Sequence, residues 1–205
     1  MLQIIEKETD LSEKELNLIN DRGVVSIDTE TTGLNYLEDK LCTIQLYVED
    51  YGIIIKYNNC LDYPRLKSVL NSSDVTKIFH NAVFDVSFLM KNFQMDSFGK
   101  LVCTKITSKL VNGMSHNNSL KPLLKEYLNI EIDKSQQLSN WGIRSLSLEQ
   151  RNYAINDVRY LLPLWENLYE ELKNKGLENV AVNCFRFIPN YKKLLDMGIN
   201  NIFNY

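Results

Sequence analysis

Apolar positions along this chain repeat with two different periods, and the changes of period outline its elements. Leu11 to Ile19 fits a short helix, with Asp10 or Ser12 placed to cap it. Val24 to Asp28 is a short apolar run that ends in an acid. Leu41 to Val48 and Gly52 to Tyr57 are β-rich runs separated by Glu49-Asp50-Tyr51, the pattern of neighbouring antiparallel strands. Pro64 to Leu70 fits a helix and Val75 to Phe79 another strand. Between Asn81 and Phe93, the residues Val83, Phe84, Phe88 and Leu89 recur at helical spacing. Further helices are predicted at Thr104 to Val111, Ser119 to Leu128 and Leu148 to Lys173, with Gly176 placed to end the last. Strands lead and helices dominate afterwards, so the expected fold class is α/β: a mixed sheet with helices packed on it.

Composition narrows the picture. The 205 residues, 44% of them apolar, suffice for a sizeable core, and no stretch is of low complexity. No Pro-, Gly- or Ser-rich linker and no internal repeat is visible. One domain over residues 1–205 is expected, with its core at about 23–172 and a C-terminal extension at 176–205. The net charge of −3 argues weakly against a nucleic-acid partner, although bound cations would add positive charge that the sequence omits. Ser97 to Lys125 holds no Asp or Glu and carries Lys100, Lys105, Lys109, Lys121 and Lys125. That stretch reads as solvated helix faces, or alternatively as a basic wall for a phosphate backbone. The four cysteines, Cys42, Cys60, Cys103 and Cys184, form no Cys-x-x-Cys pair, which speaks against a zinc ribbon or a disulfide framework. With no secretory signal or membrane span visible, a cytoplasmic protein is expected.

Three acidic segments carry the candidate chemistry. Asp28 and Glu30 stand two apart at the end of a strand and so share a face. Held close together they repel, and a divalent cation with its preference for oxygen ligands removes that cost; an exposed strand-end pair is the plain alternative. Asp85 lies among apolar neighbours in the first turns of a helix, where the dipole by itself favours an acid. Tyr153 and Asp157 are four apart on one face of an otherwise apolar helix, a place where an acid needs a partner. Each element is weak alone, and the three in this order are informative.

Together the segments resemble the DEDD superfamily of 3′→5′ exonucleases, in its tyrosine-bearing RNase D branch. The motifs are Asp28-Thr29-Glu30, Asp85, and Tyr153-Ala154-Ile155-Asn156-Asp157. Cys42 to Leu46 is similar to the family's second strand, and Asp133 to Trp141 to its Lys-to-Trp segment; Asn140 stands where relatives often have Asp. The likeness covers residues from about Gly23 to Leu172. Thr31 to Leu34, Lys77 to His80, Cys103 to Leu110 and Cys184 to Pro189 are similar to the short single-domain group called nano-RNase C.

The resemblance implies an RNase H-like mixed sheet flanked by helices. It implies that Asp28, Glu30, Asp85 and Asp157 hold two divalent cations, Mg²⁺ or Mn²⁺. Such ions, about 3.5–4 Å apart, clamp the attacking and leaving oxygens of an in-line phosphoryl displacement. Tyr153, a poor base at neutral pH, would orient the attacking water. By the same resemblance Leu34 wedges between bases and His80 contacts substrate. Phe84 stacks on a base and Lys134 meets a phosphate. Read from the residues alone, these four are a loop leucine, a structural histidine, a core aromatic and an exposed lysine. Trp141 reads as packing. The implied partners are 3′ ends of short RNA, dinucleotides included, with DNA as the alternative substrate; no membrane partner is expected. Apolar positions between Asn183 and Tyr205 either cover the core or lie at a subunit contact in a ring-like homo-oligomer. A binding module on the same fold ordinarily lacks one or more of the five site residues, and all five are present.

Overall fold

The computed structural model describes residues 2–133 and 135–203. In chain order the elements are β1 (Gln3–Lys7), α1 (Glu13–Arg22), β2 (Val24–Thr31), β3 (Leu41–Val48), β4 (Tyr51–Lys56), α2 (Pro64–Asn71), β5 (Thr76–Phe79) and α3 (Ala82–Asn92). They continue with β6 (Leu101–Cys103), α4 (Thr104–Asn112), α5 (Leu120–Leu128), α6 (Leu148–Arg159), α7 (Leu161–Asn174) and α8 (Glu178–Asp196). Six strands form one mixed sheet in the order β1-β4-β3-β2-β5-β6. The β2–β3 and β3–β4 pairs are antiparallel, and β1–β4, β2–β5 and β5–β6 are parallel.

Most predicted elements are present within a residue or two. Ser12, not Asp10, caps α1: its hydroxyl accepts from the Glu15 amide while the Glu15 carboxylate accepts from the Ser12 amide at 2.6 Å. Asp10 instead accepts from the amides of Arg65 and Leu66 at the start of α2. Leu148 to Lys173 is two helices, not one, with Tyr160 (φ −102°, ψ 4°) as the joint. The break places Pro163 in the first turn of α7, where a missing N–H leaves no intrahelical bond unmade. The C-terminal extension is mostly the long helix α8, which packs on α3 and β6. No helix among the described residues is long and apolar enough to cross a membrane.

The sheet separates two apolar clusters, and alternation along a strand decides which side chain joins which. Ile53 and Ile55 of β4 enter the larger cluster, under α1, α2, α3 and α7. Ile54 between them enters the smaller one with Trp141, Leu146 and Tyr153 to Ile155. Along β2, Val25 and Ile27 belong to the larger cluster. Asp28 and Glu30 therefore face the side covered by α6, and Thr29 faces the other. β5 pairs with β2 only from Val24 to Ser26, so the acidic end of β2 runs beyond its parallel neighbour. That end is bordered by β3 alone, with Asp28 opposite Gln45 and Glu30 opposite Thr43.

Helix α6 sits close to the sheet because residue 52 has no side chain. A Cβ built on Gly52 would lie 2.7 Å from Cδ1 of Ile155 and 3.1 Å from its Cγ1 and Cγ2. Gly52→Ala is expected to destabilise the fold by about 1–3 kcal/mol through overpacking. Ile155→Val, which removes the nearest carbon, should recover part of that loss. Urea denaturation of the two single variants and the double variant checks both outcomes.

Candidate active site

The carboxyl ends of β2 and β5, the start of α3 and the inward face of α6 surround a cleft of about 410 Å³. Asp28, Glu30, Asp85, Tyr153 and Asp157 all line it, together with Leu34, His80 and Phe84. Lys134 is outside the described residues. The basic stretch lies elsewhere: none of Lys100, Lys105, Lys109, Lys121 and Lys125 is in the cleft's lining, and Lys125 pairs with Glu131 at 2.8 Å.

Three acids form a tight group. One carboxylate oxygen from each of Asp28, Glu30 and Asp157 lies within 4.8 Å of the others. Asp28 and Glu30 are brought together by strand alternation, and Asp157 comes from the third turn of α6 and is buried. Asp85 stands apart from this group. It reaches the strand from α3 on the far face, where its Oδ1 accepts the Thr29 hydroxyl at 2.7 Å. The residue between the two motif acids thus anchors the fourth. Burial pushes the Asp85 carboxyl up to about 7, against the opposing pull of the Thr29 hydrogen bond.

Tyr153 is buried one turn before Asp157 and hydrogen-bonds its carboxylate. Its phenol is driven well above the usual range, first by burial and then by the negative charges of Asp157, Glu30 and Asp28. It therefore keeps its proton at neutral pH and acts through hydrogen bonding. Its ring packs beside Trp141, with centroids 5.9 Å apart. Trp141 both packs, as expected, and lines the cleft.

The remaining predicted contacts differ in character. Leu34, on the β2–β3 loop, is 85% exposed and covers no core. The ring of Phe84 is half-buried against Phe88, with centroids 4.9 Å apart, and still borders the cleft. His80 shares a hydrogen bond of 2.9 Å with Thr104 through Nδ1, so α4 helps fix its ring.

Sequence reasoning singled out no residue of Gln137 to Ser139, yet all three line the cleft. Their backbone forms a turn in which the Ser139 amide donates to the Gln136 carbonyl at 3.0 Å. Asn140, where an Asp was the alternative, uses its Oδ1 to accept the Gly142 amide at 3.0 Å, a role open to either side chain. Gln150 is the other omission. It completes the capping box of α6, with the Gln150 amide donating to Ser147 Oγ at 3.1 Å and the Ser147 amide to Gln150 Oε1 at 3.0 Å. The Ser-x-x-Gln spacing before an apolar helix was the available signal.

A family described as 3′-5′ exonuclease matches residues 2–173. Ribonuclease D of Haemophilus influenzae is 33% identical over 166 residues, covering 80% of this chain and 41% of the relative. The chain therefore spans about two fifths of that relative's length. The solved structure of Brucella melitensis NrnC bound to pGG is 32% identical, with a TM-score of 0.89 and complete coverage of both chains. Escherichia coli RNase D, at 24% identity and a TM-score of 0.79, shares the fold. With all five motif residues lining one cleft on the matching fold, the chain belongs to the 3′-5′ exonuclease family, in its RNase D branch.

Proposed function

We propose that this chain is a metal-dependent 3′→5′ exoribonuclease that degrades short RNA, dinucleotides included, to nucleoside 5′-monophosphates. The observation that carries this reading is the convergence of Asp28, Glu30 and Asp157 within 4.8 Å at an open cleft. The donor set is carboxylate oxygen alone, which suits hard cations such as Mg²⁺ or Mn²⁺. Asp28, Glu30, Asp85 and Asp157 would hold two of them. Bound there, the ions would neutralise the phosphate and ease deprotonation of the attacking water.

The chain's own groups then have separate tasks. Tyr153, protonated and fixed between Asp157 and Trp141, holds the attacking water in line by a hydrogen bond. The water oxygen bonds to phosphorus, the bond from phosphorus to the 3′ oxygen of the preceding nucleotide breaks, and that oxygen takes up a proton. Leu34, His80, Phe84 and Lys134 are the proposed contacts to bases and phosphate. A cleft of about 410 Å³ has the size of a small-ligand site and suits one or two nucleotides. The end-to-end likeness to a nuclease solved with pGG supports the same substrate class. We read residues 1–205 as one domain working in the cytoplasm, where its four free cysteines would stay reduced. Val180 and Phe187, exposed seven residues apart on one face of α8, support a homo-oligomeric assembly, which we read as a ring. In light scattering, the wild type should run as an oligomer that Phe187→Glu dissociates.

The direct test is a time course on RNA of two, seven and about twenty nucleotides beside matched DNA, with Mg²⁺, with Mn²⁺ and with chelator. The dinucleotide should clear fastest, chelator should stop the reaction, and either metal should restore it. Equal cleavage of long strands or DNA would overturn the short-RNA assignment and leave the chemistry. Asp28→Asn should abolish hydrolysis and leave the fold intact, as circular dichroism checks. Tyr153→Phe should still bind metal and lose about a hundredfold in rate, the scale set by mispositioning a reactant.

Asp85 gives a pH prediction. Its folded pKa lies above its unfolded value, so the metal-free fold binds the extra proton and loses stability as pH rises from about 4 through about 7. Asp85→Asn, which mimics the protonated acid, should flatten that decline. Thermal melts in chelator across this range, for wild type and variant, measure the difference.

A further inference from the structure

The cleft has a lip that none of the motif residues explains. It is the turn Gln136–Ser139, closed by the 3.0 Å bond from the Ser139 amide to the Gln136 carbonyl. Leu138 occupies the third position of that turn and is 95% exposed, the most exposed large apolar side chain among the described residues. A single exposed leucine is ordinary. This one lines the same cleft as Leu34, which is 85% exposed and arrives from a different segment, the β2–β3 loop. Two nearly bare leucines therefore border a floor of carboxylates.

The lip is fastened at its base. Gln150, itself buried, donates from Nε2 to Ser139 Oγ at 3.0 Å and to the Asn140 carbonyl at 3.1 Å. Its Oε1 and its amide are already engaged in the capping box of α6. Trp141, two residues after Ser139, is buried beside Tyr153. The lip thus hangs on the helix that carries Tyr153 and Asp157, tied by one side chain and anchored by another. An apolar group held in water at a fixed place beside a nucleotide-sized cleft is well placed to cover the face of an unstacked base.

We infer that Leu138 is a second base-contacting residue of this site and that Gln150 is the positioning residue that holds it there. The inference rests on the exonuclease reading and adds a substrate contact that the motif residues do not supply. Leu138 touches one base of the substrate, and Gln150 acts on that contact through Ser139 and Asn140.

The test uses the purified full chain with Mg²⁺ and three RNA dinucleotides: the natural one, one lacking its 3′ base and one lacking its 5′ base. Leu138→Ala removes no core contact and should leave the melting curve unchanged. On the natural dinucleotide it should lower kcat/KM about five- to thirtyfold, chiefly through KM, as expected for losing part of a leucine's burial. On the analogue lacking the contacted base, wild type and variant should be equal. Gln150→Glu keeps the acceptor that caps α6 and loses the two donations to the lip. It should reproduce the Leu138→Ala loss, and the double variant should lose no more than the larger single one. If the wild type cleaves and Leu138→Ala matches it on the natural dinucleotide, the base contact is overturned. A loss equal on all three substrates overturns it too, because that is the mark of a distorted site. A Gln150→Glu variant with wild-type kcat/KM overturns the positioning role. A wild type that cleaves none of the three overturns the exonuclease reading itself.

Discussion

Gathering carboxylates against their own repulsion is the constraint around which this structure is arranged. Three of them bring oxygens within 4.8 Å of one another, and a fourth, buried and bonded to Thr29, lines the same cleft. Without a cation such a group disfavours the folded state, so the frame that holds it has to be stiff. The stiffness comes from an interior strand. β2 has neighbours on both sides at its start and outruns one of them at its acidic end. The acids are thus carried on rigid backbone and still reach an open cleft. Thr29 adds a tie through the sheet, turning the side chain between the two strand acids into the anchor of the acid from α3.

The second requirement is that α6 approach closely enough for Asp157 to join the strand acids. Ile155, on the same helix, settles over Gly52 at a distance that a methyl group would disturb. Both residues adjoin the smaller apolar cluster, where Trp141 and Tyr153 also pack. The packing that seats the helix is therefore the packing that aims its polar residues. Tyr153 belongs to both sets: its ring is part of that cluster, and its hydroxyl is held by the carboxylate below it.

Much of this was legible in the sequence, for identifiable reasons. The central strands are apolar runs with turn residues between them, and β2, β3, β4 and β5 were found there. Strand alternation placed Asp28 and Glu30 on one face, and helical spacing placed Tyr153 with Asp157. The misses are equally physical. β1 is an edge strand whose Gln-Ile-Ile-Glu-Lys pattern is short and partly charged, and β6 has three residues. α8 has Pro189 in its interior, which interrupts the helical pattern although the helix runs through it. The split at Tyr160 was signalled by Pro163, whose ring belongs in a first turn. Within the site, the separation of Asp85 from the other acids depends on which face of the sheet α3 approaches, and no local pattern encodes that. The lip was overlooked because an exposed leucine in a polar turn has no period to betray it.

Gln150 carries a last implication. Its Oε1 and amide close the first turn of α6 while its Nε2 holds the lip, so unwinding of that turn also frees the lip. Such opening of the helix end reaches one wall of the cleft, the kind of local event that hydrogen exchange reports. A helix end that would ordinarily fray is thereby held by the same residue that fastens a wall of the cleft.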